Sequence, residues 1–218
     1  MKIDHIIRTA IFSLIFTAIM LFNGCAIQMP TLADKAEAST DQFENKAKRI
    51  DYLQLLKKWS IRGKIAFITE KKRQSFSFRW TVDDLNESQQ LDLTTYLGIN
   101  LLKLKSQSGV HTLLVDGQES QGTDLEKLIY SSTGLTIPTE AMHGWLKGLK
   151  QSKNDVIEYD QKSHLPSRLL SSYDQGIWQI HYANYYQLGQ VQLAKKLSIK
   201  RNNLVIKIVI NRWTINDV

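Results

Sequence analysis

The residue with the clearest potential chemistry is Cys25, the single cysteine of the chain. A basic start at residues 2–8 precedes the apolar stretch 10–22, and Gly24 comes directly before the cysteine. This order is typical of a secretory signal peptide, and the stretch is shorter than the roughly 20 residues of a membrane span. A cysteine at the new amino terminus can take a diacylglyceryl group on its thiol. We therefore predict removal of residues 1–24 and lipidation of Cys25.

The residues just before Cys25 leave two alternatives open. Bacterial lipidation sites usually have Leu three residues before the cysteine and a small residue two before it, whereas Phe22 and Asn23 stand there. The alternatives are an ordinary signal peptide with an incidental cysteine and an uncleaved anchor. The absence of a second cysteine favours lipidation, because an exported protein with one unpaired thiol is otherwise unusual.

Other residue types give no sign of a catalytic or metal site. None of the five histidines has metal-ligand spacing to another His, Cys or carboxylate. The sequence has no G-x-S-x-G, no phosphate-binding glycine loop and no clustered carboxylate pair. We therefore expect no enzyme, no metal and no cofactor, although a site assembled only by folding stays an alternative. The histidines are His5, His111, His143, His164 and His181.

Composition favours one domain with a moderate positive charge. The 218 residues carry a formal net charge of +7, which suits solubility, anionic lipid headgroups or acidic partners. Lysine and arginine are spread along the chain without a nucleic-acid motif, so we expect no nucleic-acid binding. The polar segment 25–39 is predicted to be a lipidated flexible tether, or else to pack on the surface. Residues 40–218 are predicted to form a single, monomeric domain.

Hydrophobic periodicity predicts mostly strands. Helical spacing covers residues 41–58, and alternation of period two then predicts consecutive antiparallel strands. Two helices interrupt them: one starts with a capping box from Thr123 to Glu126 and ends at Gly134, and the second runs from about Thr139 to Leu146 and stops near Gly148. The predicted strands are 59–67, 75–82, 91–95, 99–105, 110–115, 155–160, 167–172, 177–182, 196–200 and 204–213.

The sheet formed by these strands is predicted to be curved. About ten or eleven antiparallel strands in a chain of this length do not lie flat, because strand twist closes them toward a barrel or sandwich. Amphipathic helices inserted into such a meander would cover the concave face. The predicted fold is therefore mainly β, in the α+β class, with an apolar interior able to hold a hydrophobic ligand.

One hairpin has an unusual composition. Tyr96-Leu97-Gly98 lies between two predicted strands, where polar turn residues are the rule. Leu97 either folds back onto the core or forms an exposed apolar finger that touches a membrane or a lipid. Burial of one leucine stabilises by about 1.5–3 kcal/mol, which is too little to anchor a protein but enough to perturb a bilayer surface.

The order of several short segments resembles the outer-membrane lipoprotein LolB family over nearly all of the chain after residue 24. The family usually has Pro where Tyr96 stands, and often another Pro where this chain has 192–194. The matching segments are Trp59, Gly63-Lys64-Ile65-Ala66, Phe78-Arg79-Trp80, Tyr96-Leu97-Gly98, Gly134-Leu135-Thr136-Ile137-Pro138, Trp145-Leu146-Lys147-Gly148 and the closing strands to Trp213.

The resemblance implies an incomplete antiparallel barrel with a helical lid and a hydrophobic cavity for acyl chains. It implies an acylated Cys25 that holds the protein on the periplasmic face of the outer membrane. The implied partners are the soluble periplasmic carrier LolA, acylated lipoprotein clients and outer-membrane lipid. The implied task is insertion of clients into the outer membrane, with Leu97 and the neighbouring Tyr96 at the insertion step. A different lipid-binding or scaffolding barrel and a soluble LolA-like carrier remain alternatives.

Strand alternation supplies candidates for the acyl-binding cavity. The same residues would serve equally well as a dry core under the lid helices, and the sequence does not separate the two interpretations. The candidates are Ile65, Phe67, Phe76, Phe78, Trp80 and Trp145.

Overall fold

The computed structural model describes residues 45–215, which contain one antiparallel sheet of 11 strands, three α-helices and a short 3-10 helix at Asp84–Asn86. The predicted signal peptide (1–24), Cys25, the tether (25–39) and residues 40–44 lie outside the described residues. Helix α1 covers residues 45–55, α2 is Leu125–Thr133 and α3 is Thr139–Lys147. The strands are β1 (Lys58–Ile68), β2 (Arg73–Asp83), β3 (Ser88–Thr94), β4 (Asn100–Gln107), β5 (Val110–Val115), β6 (Gln118–Gly122), β7 (Val156–Tyr159), β8 (Pro166–Tyr173), β9 (Gly176–Leu188), β10 (Val191–Arg201) and β11 (Leu204–Ile215).

The sheet consists of two meanders joined by the first and last strands. Its order is β6-β5-β4-β3-β2-β1-β11-β10-β9-β8-β7, so β6 and β7 are the edges and do not pair with each other. Helices α2 and α3 follow one edge strand and precede the other in the chain. The predicted fold class is confirmed: the strands form an open antiparallel barrel with helices over its interior.

The two meanders meet at a bulge beside Gly63. The register between β1 and β11 shifts between Arg62 and Gly63. A Cβ atom at Gly63 would collide with the backbone oxygen of Val209, so only glycine allows the two strands to approach this closely. The bulge increases the local twist of the sheet at the seam of the barrel.

The core lies between the inner face of the sheet and the helices. Alternate residues along the strands are buried, as in Trp59, Ile61 and Ile65 of β1. Helix α2 adds its apolar face to this cluster, and α3 is buried along most of its length. The helices therefore form a lid that completes a single hydrophobic core.

Local details differ from the prediction in four places. The predicted helix 41–58 ends at residue 55, because Lys58 already pairs with Asp83 in the sheet. The predicted capping box is wrong: Asp124, not Thr123, is the N-cap of α2, and its carboxylate accepts from the backbone N–H of Lys127.

The third difference is strand β6, which was not predicted, because its sequence QESQG is polar and has no apolar alternation. As an edge strand with exposed side chains, it needs only backbone pairing with β5. Its last residue, Gly122, pairs with His111 of β5. The fourth difference is length, since β9 and β10 extend well beyond the predicted segments. Gly134 and Gly148 do end the two lid helices, both with left-handed backbone.

Candidate functional site

The space between the lid and the sheet is almost filled. A cavity of about 30 Å³ lies under α2 and α3, with a lining that is entirely apolar apart from Thr139. Four of the predicted cavity residues line it: Ile65, Phe67, Phe78 and Trp80. The described conformation is thus closed, since pockets that hold organic ligands are typically about 300–1,000 Å³.

A larger pocket opens at one end of this interior. It measures about 240 Å³ and is lined by Phe76, by strands β2, β4 and β5, and by the segment between the lid helices. Phe67, Leu93 and Ile137 line both this pocket and the closed cavity, so the two lie next to each other. This opening, the end pocket, has polar groups such as Lys72 at its rim.

Trp145 lies away from the cavity and fastens the lid to the other half of the barrel. Its ring centroid is 5.6 Å from that of Trp178 and 6.1 Å from that of Tyr173. The hydroxyl of Tyr182 donates to the backbone oxygen of Trp145 at 2.9 Å. Because Trp145 is fully buried in these contacts, its place is structural in the closed state.

His143 holds the other side of α3 in the aromatic part of the core. Its ring lies 5.7 Å from Trp59 and 5.1 Å from Trp80, both in edge-on contacts, and Nε2 is 3.3 Å from Oε1 of Gln89. Burial lowers the pKa of His143 to about 4, although the carboxylate of Asp84 at 3.9 Å acts in the opposite direction. His143 is therefore neutral at pH 7. The sequence marked it only as one histidine without a metal partner.

Two basic residues join the end of α3 to α1. The ammonium of Lys147 is buried and donates to the backbone oxygen of Leu56 at 3.3 Å. Burial lowers the pKa of Lys147. The guanidinium of Arg49 donates to the backbone oxygen of Lys147 at 3.1 Å. The lid is thus fixed at its carboxyl end, while the segment before α3 borders the end pocket.

The β3–β4 hairpin presents apolar side chains to solvent. Tyr96 is 95 % exposed and Leu97 is 81 % exposed, so the interpretation of Leu97 as a core residue is wrong. Gly98 has a φ of 80°, and its N–H donates to the backbone oxygen of Thr95 at 3.0 Å. Ile99, also exposed, adds a third apolar side chain that sequence reasoning missed. Tyr96, Leu97 and Ile99 together are the apolar hairpin.

The apolar hairpin lies at the same end of the sheet as the end pocket. Thr94 pairs with Ser77, so the hairpin projects beside the β1–β2 turn that carries Lys72. Leu102 pairs with Val115, which places the β5–β6 turn at this end as well. The structure thus brings together the apolar hairpin and the entrance to the interior, which are separate features in the sequence.

Polar chemistry is sparse in this region. Within residues 45–215, no group of three or more His, Cys, Asp or Glu side chains could hold a metal ion. None of the helices in the same range has the length and apolarity needed to cross a membrane. The site offers apolar burial under the lid and an exposed apolar contact at the hairpin.

The fold and site define a class: open antiparallel barrels with a lid over an apolar interior. A solved LolA superfamily protein from Nitrosomonas europaea has this fold, with a TM-score of 0.50, 7% identity and coverage of 78% of this chain and 92% of that chain.

Sequence comparison gives the family. The family model described as outer membrane lipoprotein LolB matches residues 57–213. The outer-membrane lipoprotein LolB of Aeromonas hydrophila is 31% identical over 90% of this chain and 93% of its own length. That of Pseudoalteromonas translucida is 28% identical over 99% and 98%. The chain belongs to the LolB family, as the resemblance predicted. It is an outer-membrane, lipid-anchored lipoprotein that receives lipoproteins in the Lol pathway, and the family is not known for enzymatic activity.

Proposed function

We propose that this protein accepts acylated lipoproteins from a LolA-type periplasmic carrier, holds their acyl chains between sheet and lid, and inserts them into the outer membrane through the apolar hairpin. Cys25 is the proposed site of the lipid anchor. The observation that carries the proposal is that the apolar interior adjoins an end pocket beside the exposed Leu97.

Acyl binding requires the lid to move. The closed cavity of about 30 Å³ has room for roughly one water molecule, not for an acyl chain. A chain that enters at the end pocket would separate α2 and α3 from Phe78 and Trp80. Each methylene that it buries contributes about 0.8 kcal/mol, which offsets the lost contacts between lid and sheet.

The direction of lipoprotein transfer then follows from differences in affinity for the acyl chains. No nucleotide site is evident in the sequence, so each step has to be downhill: carrier to this protein, and this protein to the bilayer. Closure of the empty lid onto the sheet favours release of the acyl chain, because the closed state keeps the apolar surfaces of lid and sheet buried. The cost of opening lowers the net affinity for acyl chains below the intrinsic affinity of the open interior.

The apolar hairpin supplies contact with the membrane rather than anchorage. Burial of Leu97 stabilises by about 1.5–3 kcal/mol, which holds the entrance against the bilayer only transiently. The covalent lipid at Cys25 would keep the barrel at the surface between such contacts. An acyl chain that leaves the end pocket then meets hydrocarbon already disturbed by Leu97 and Tyr96.

The direct test is transfer of a lipoprotein between purified components. A carrier loaded with radiolabelled lipoprotein is mixed with the lipidated protein in vesicles, and the label is followed from carrier to protein to membrane. We expect label to leave the carrier only when this protein is present. If the label stays on the carrier, the proposed acceptor function is wrong.

A further inference from the structure

Three arginines lie side by side across the outer face of the sheet. Arg62 of β1 pairs with Arg212 of β11 on one side and with Arg79 of β2 on the other. All three side chains are exposed. Beyond Arg79 the same row continues with Asp92 of β3. We call Arg212, Arg62 and Arg79 the arginine row.

The bulge at the barrel seam creates this row. On β11, Ile210 and Trp213 are buried, while both residues between them, Asn211 and Arg212, are exposed. Strict alternation would turn one of the two inward. The register shift beside Gly63 therefore aims Arg212 at the outer face, opposite Arg62.

The charges of the row are not neutralised within the described residues. None of the three guanidiniums forms an ion pair with another described residue. The nearest carboxylate in the row, Asp92, accepts from the side-chain amide of Gln90 at 2.9 Å and also faces Lys103 on β4. Like charges directly opposite each other destabilise a sheet, so the row opposes folding unless an anion compensates.

A groove runs from two members of the row, Arg62 and Arg79, to the base of the apolar hairpin. It measures about 470 Å³ and is lined by these two arginines and Lys103, by Gly63 and Phe78, and by polar residues, while Arg212 is not part of the lining. Thr94 and Asn100, which flank the apolar hairpin, form its end. Asp92 is the single acidic residue of its lining. The groove therefore offers positive charge and hydrogen-bond donors directly behind the proposed membrane contact.

We propose that the arginine row binds the phosphates of anionic phospholipid headgroups and so orients the entrance of the barrel toward the bilayer. The proposal rests on the proposed function, in which the apolar hairpin touches the membrane. The guanidinium fork matches phosphate oxygens, and a row of three spans neighbouring headgroups. Five residues separate Leu97 from Asp92, which lies level with the row on β3, so the row is at most about 17 Å from the hairpin tip along the strand. Headgroups extend about 5–7 Å outside the hydrocarbon, so the row reaches their phosphates when the tip is inserted and these strands lean toward the membrane plane.

The test measures insertion of the hairpin as a function of lipid charge. The full-length lipidated protein, with Ile99→Cys carrying an environment-sensitive fluorophore, is reconstituted in phosphatidylcholine vesicles with and without phosphatidylglycerol. We expect a blue-shifted emission that grows with phosphatidylglycerol and weakens in high salt. Replacement of the row (Arg62→Gln, Arg79→Gln, Arg212→Gln) should lower the ratio of inserted to free hairpin on the order of 100-fold, from about fivefold per arginine.

A charge-matched control replaces Lys150, Lys153 and Lys162 by Gln, since these are exposed in loops outside the row. It should insert like the parent protein. The row variant should unfold at the same or a higher urea concentration than the parent, because it loses like-charge repulsion. Equal insertion of row variant and parent in anionic vesicles would overturn the proposal.

Two further results would overturn it as well. One is an equal loss of insertion in pure phosphatidylcholine, which would show that lipid charge plays no part. The other is unchanged insertion with lost acceptance of cargo from the carrier, which would assign the row to an acidic protein partner. Failure of the proposed function looks different, because the unmodified protein would then move no lipoprotein in any vesicle.

Discussion

Leu97 faces solvent because the chain turns directly after it. Gly98 adopts a left-handed backbone, and the N–H of Ile99 donates to the hydroxyl of Thr95 at 3.1 Å. These bonds fix the tip without any contribution from the leucine side chain. The function of Leu97 is therefore separable from folding, which makes it the sharpest residue for a test.

Leu97→Glu should leave stability within about 0.5 kcal/mol of the parent, since an exposed side chain is replaced by another. It should still accept a lipoprotein from the carrier but release little of it into vesicles, because a carboxylate resists entry into hydrocarbon. Urea unfolding and label transfer measure the two properties. Leu85→Glu, at an exposed leucine beyond the opposite end of β3, is the control and should release cargo normally. An unfolded Leu97→Glu variant would contradict this placement.

His143 should make the stability of the lid depend on pH. Its pKa of about 4 lies below the ordinary value of 6.5, so between these pH values the unfolded chain binds a proton that the folded chain does not. Its contribution is fully present above about pH 6.5 and is lost as the pH falls toward 4. At about 1.4 kcal/mol per pKa unit the loss is roughly 3 kcal/mol.

The measurement is urea unfolding of the parent and of His143→Gln at pH 7 and pH 4.5. The stability difference between the two proteins should shrink at the lower pH, because glutamine does not titrate. His181→Gln, on the exposed face of β9, is the control for loss of a histidine outside the core. Parallel pH profiles for the parent and His143→Gln would show that the ring is not held neutral.

At the scale of elements, the two ends of α3 differ in how strongly they contact the rest of the fold. Trp145 and Lys147 tie the carboxyl end of α3 to the rest of the fold, whereas the segment between α2 and α3 borders the end pocket. Opening is therefore expected to start between the two helices. The stability of the packing beneath α3 then sets the apparent affinity for acyl chains.

Met142→Ala tests this coupling. Met142 is buried in α3 and lines the closed cavity, so truncation should cost about 2–5 kcal/mol of unfolding free energy. It should also raise the apparent affinity for a fluorescent fatty acid, because the closed state loses contacts that the open state never had. Leu169→Ala, a buried change in β8 outside the cavity lining, should destabilise similarly without tighter binding. Equal affinities in both variants would contradict lid opening.

At the scale of the whole molecule, the proposed transfer requires the barrel to stay at the membrane surface. The described residues have apolar and basic surfaces at one end but no helix that could span a bilayer. The proposed lipid at Cys25 would supply the attachment, with the tether setting how far the barrel reaches. Loss of the lipid should therefore change location without changing the fold.

Cys25→Ala should abolish labelling by radioactive palmitate and move the protein out of the outer-membrane fraction. The circular dichroism and thermal unfolding of the exported protein should be unchanged. In cells depleted of the parent protein, we expect lipoproteins to accumulate in the periplasm, because the carrier is not emptied. Palmitate label on Cys25→Ala would show that the anchor lies elsewhere.

Most of the fold could be predicted because strand and helix periods are local properties. Ten of the strands follow from alternation, and Gly134 and Gly148 end the lid helices as their sequence context indicates. Strand β6 could not be predicted, since pairing with β5 and not its own apolar pattern makes it a strand. Asp124 rather than Thr123 is the N-cap because the backbone first becomes helical at Leu125, and the sequence does not reveal that starting point.

By itself, the sequence determined the order of strands and helices, the family and the candidate anchor, because these depend on residue types at short spacing. Tertiary structure decided whether the interior is empty or filled, since packing of α3 against Phe78 and Trp80 involves residues far apart in the chain. It also decided that Leu97 faces solvent and that Arg212 lies opposite Arg62. The turn sets the direction of the Leu97 side chain and the bulge sets that of Arg212. Neither changes the pattern of residue types along the chain.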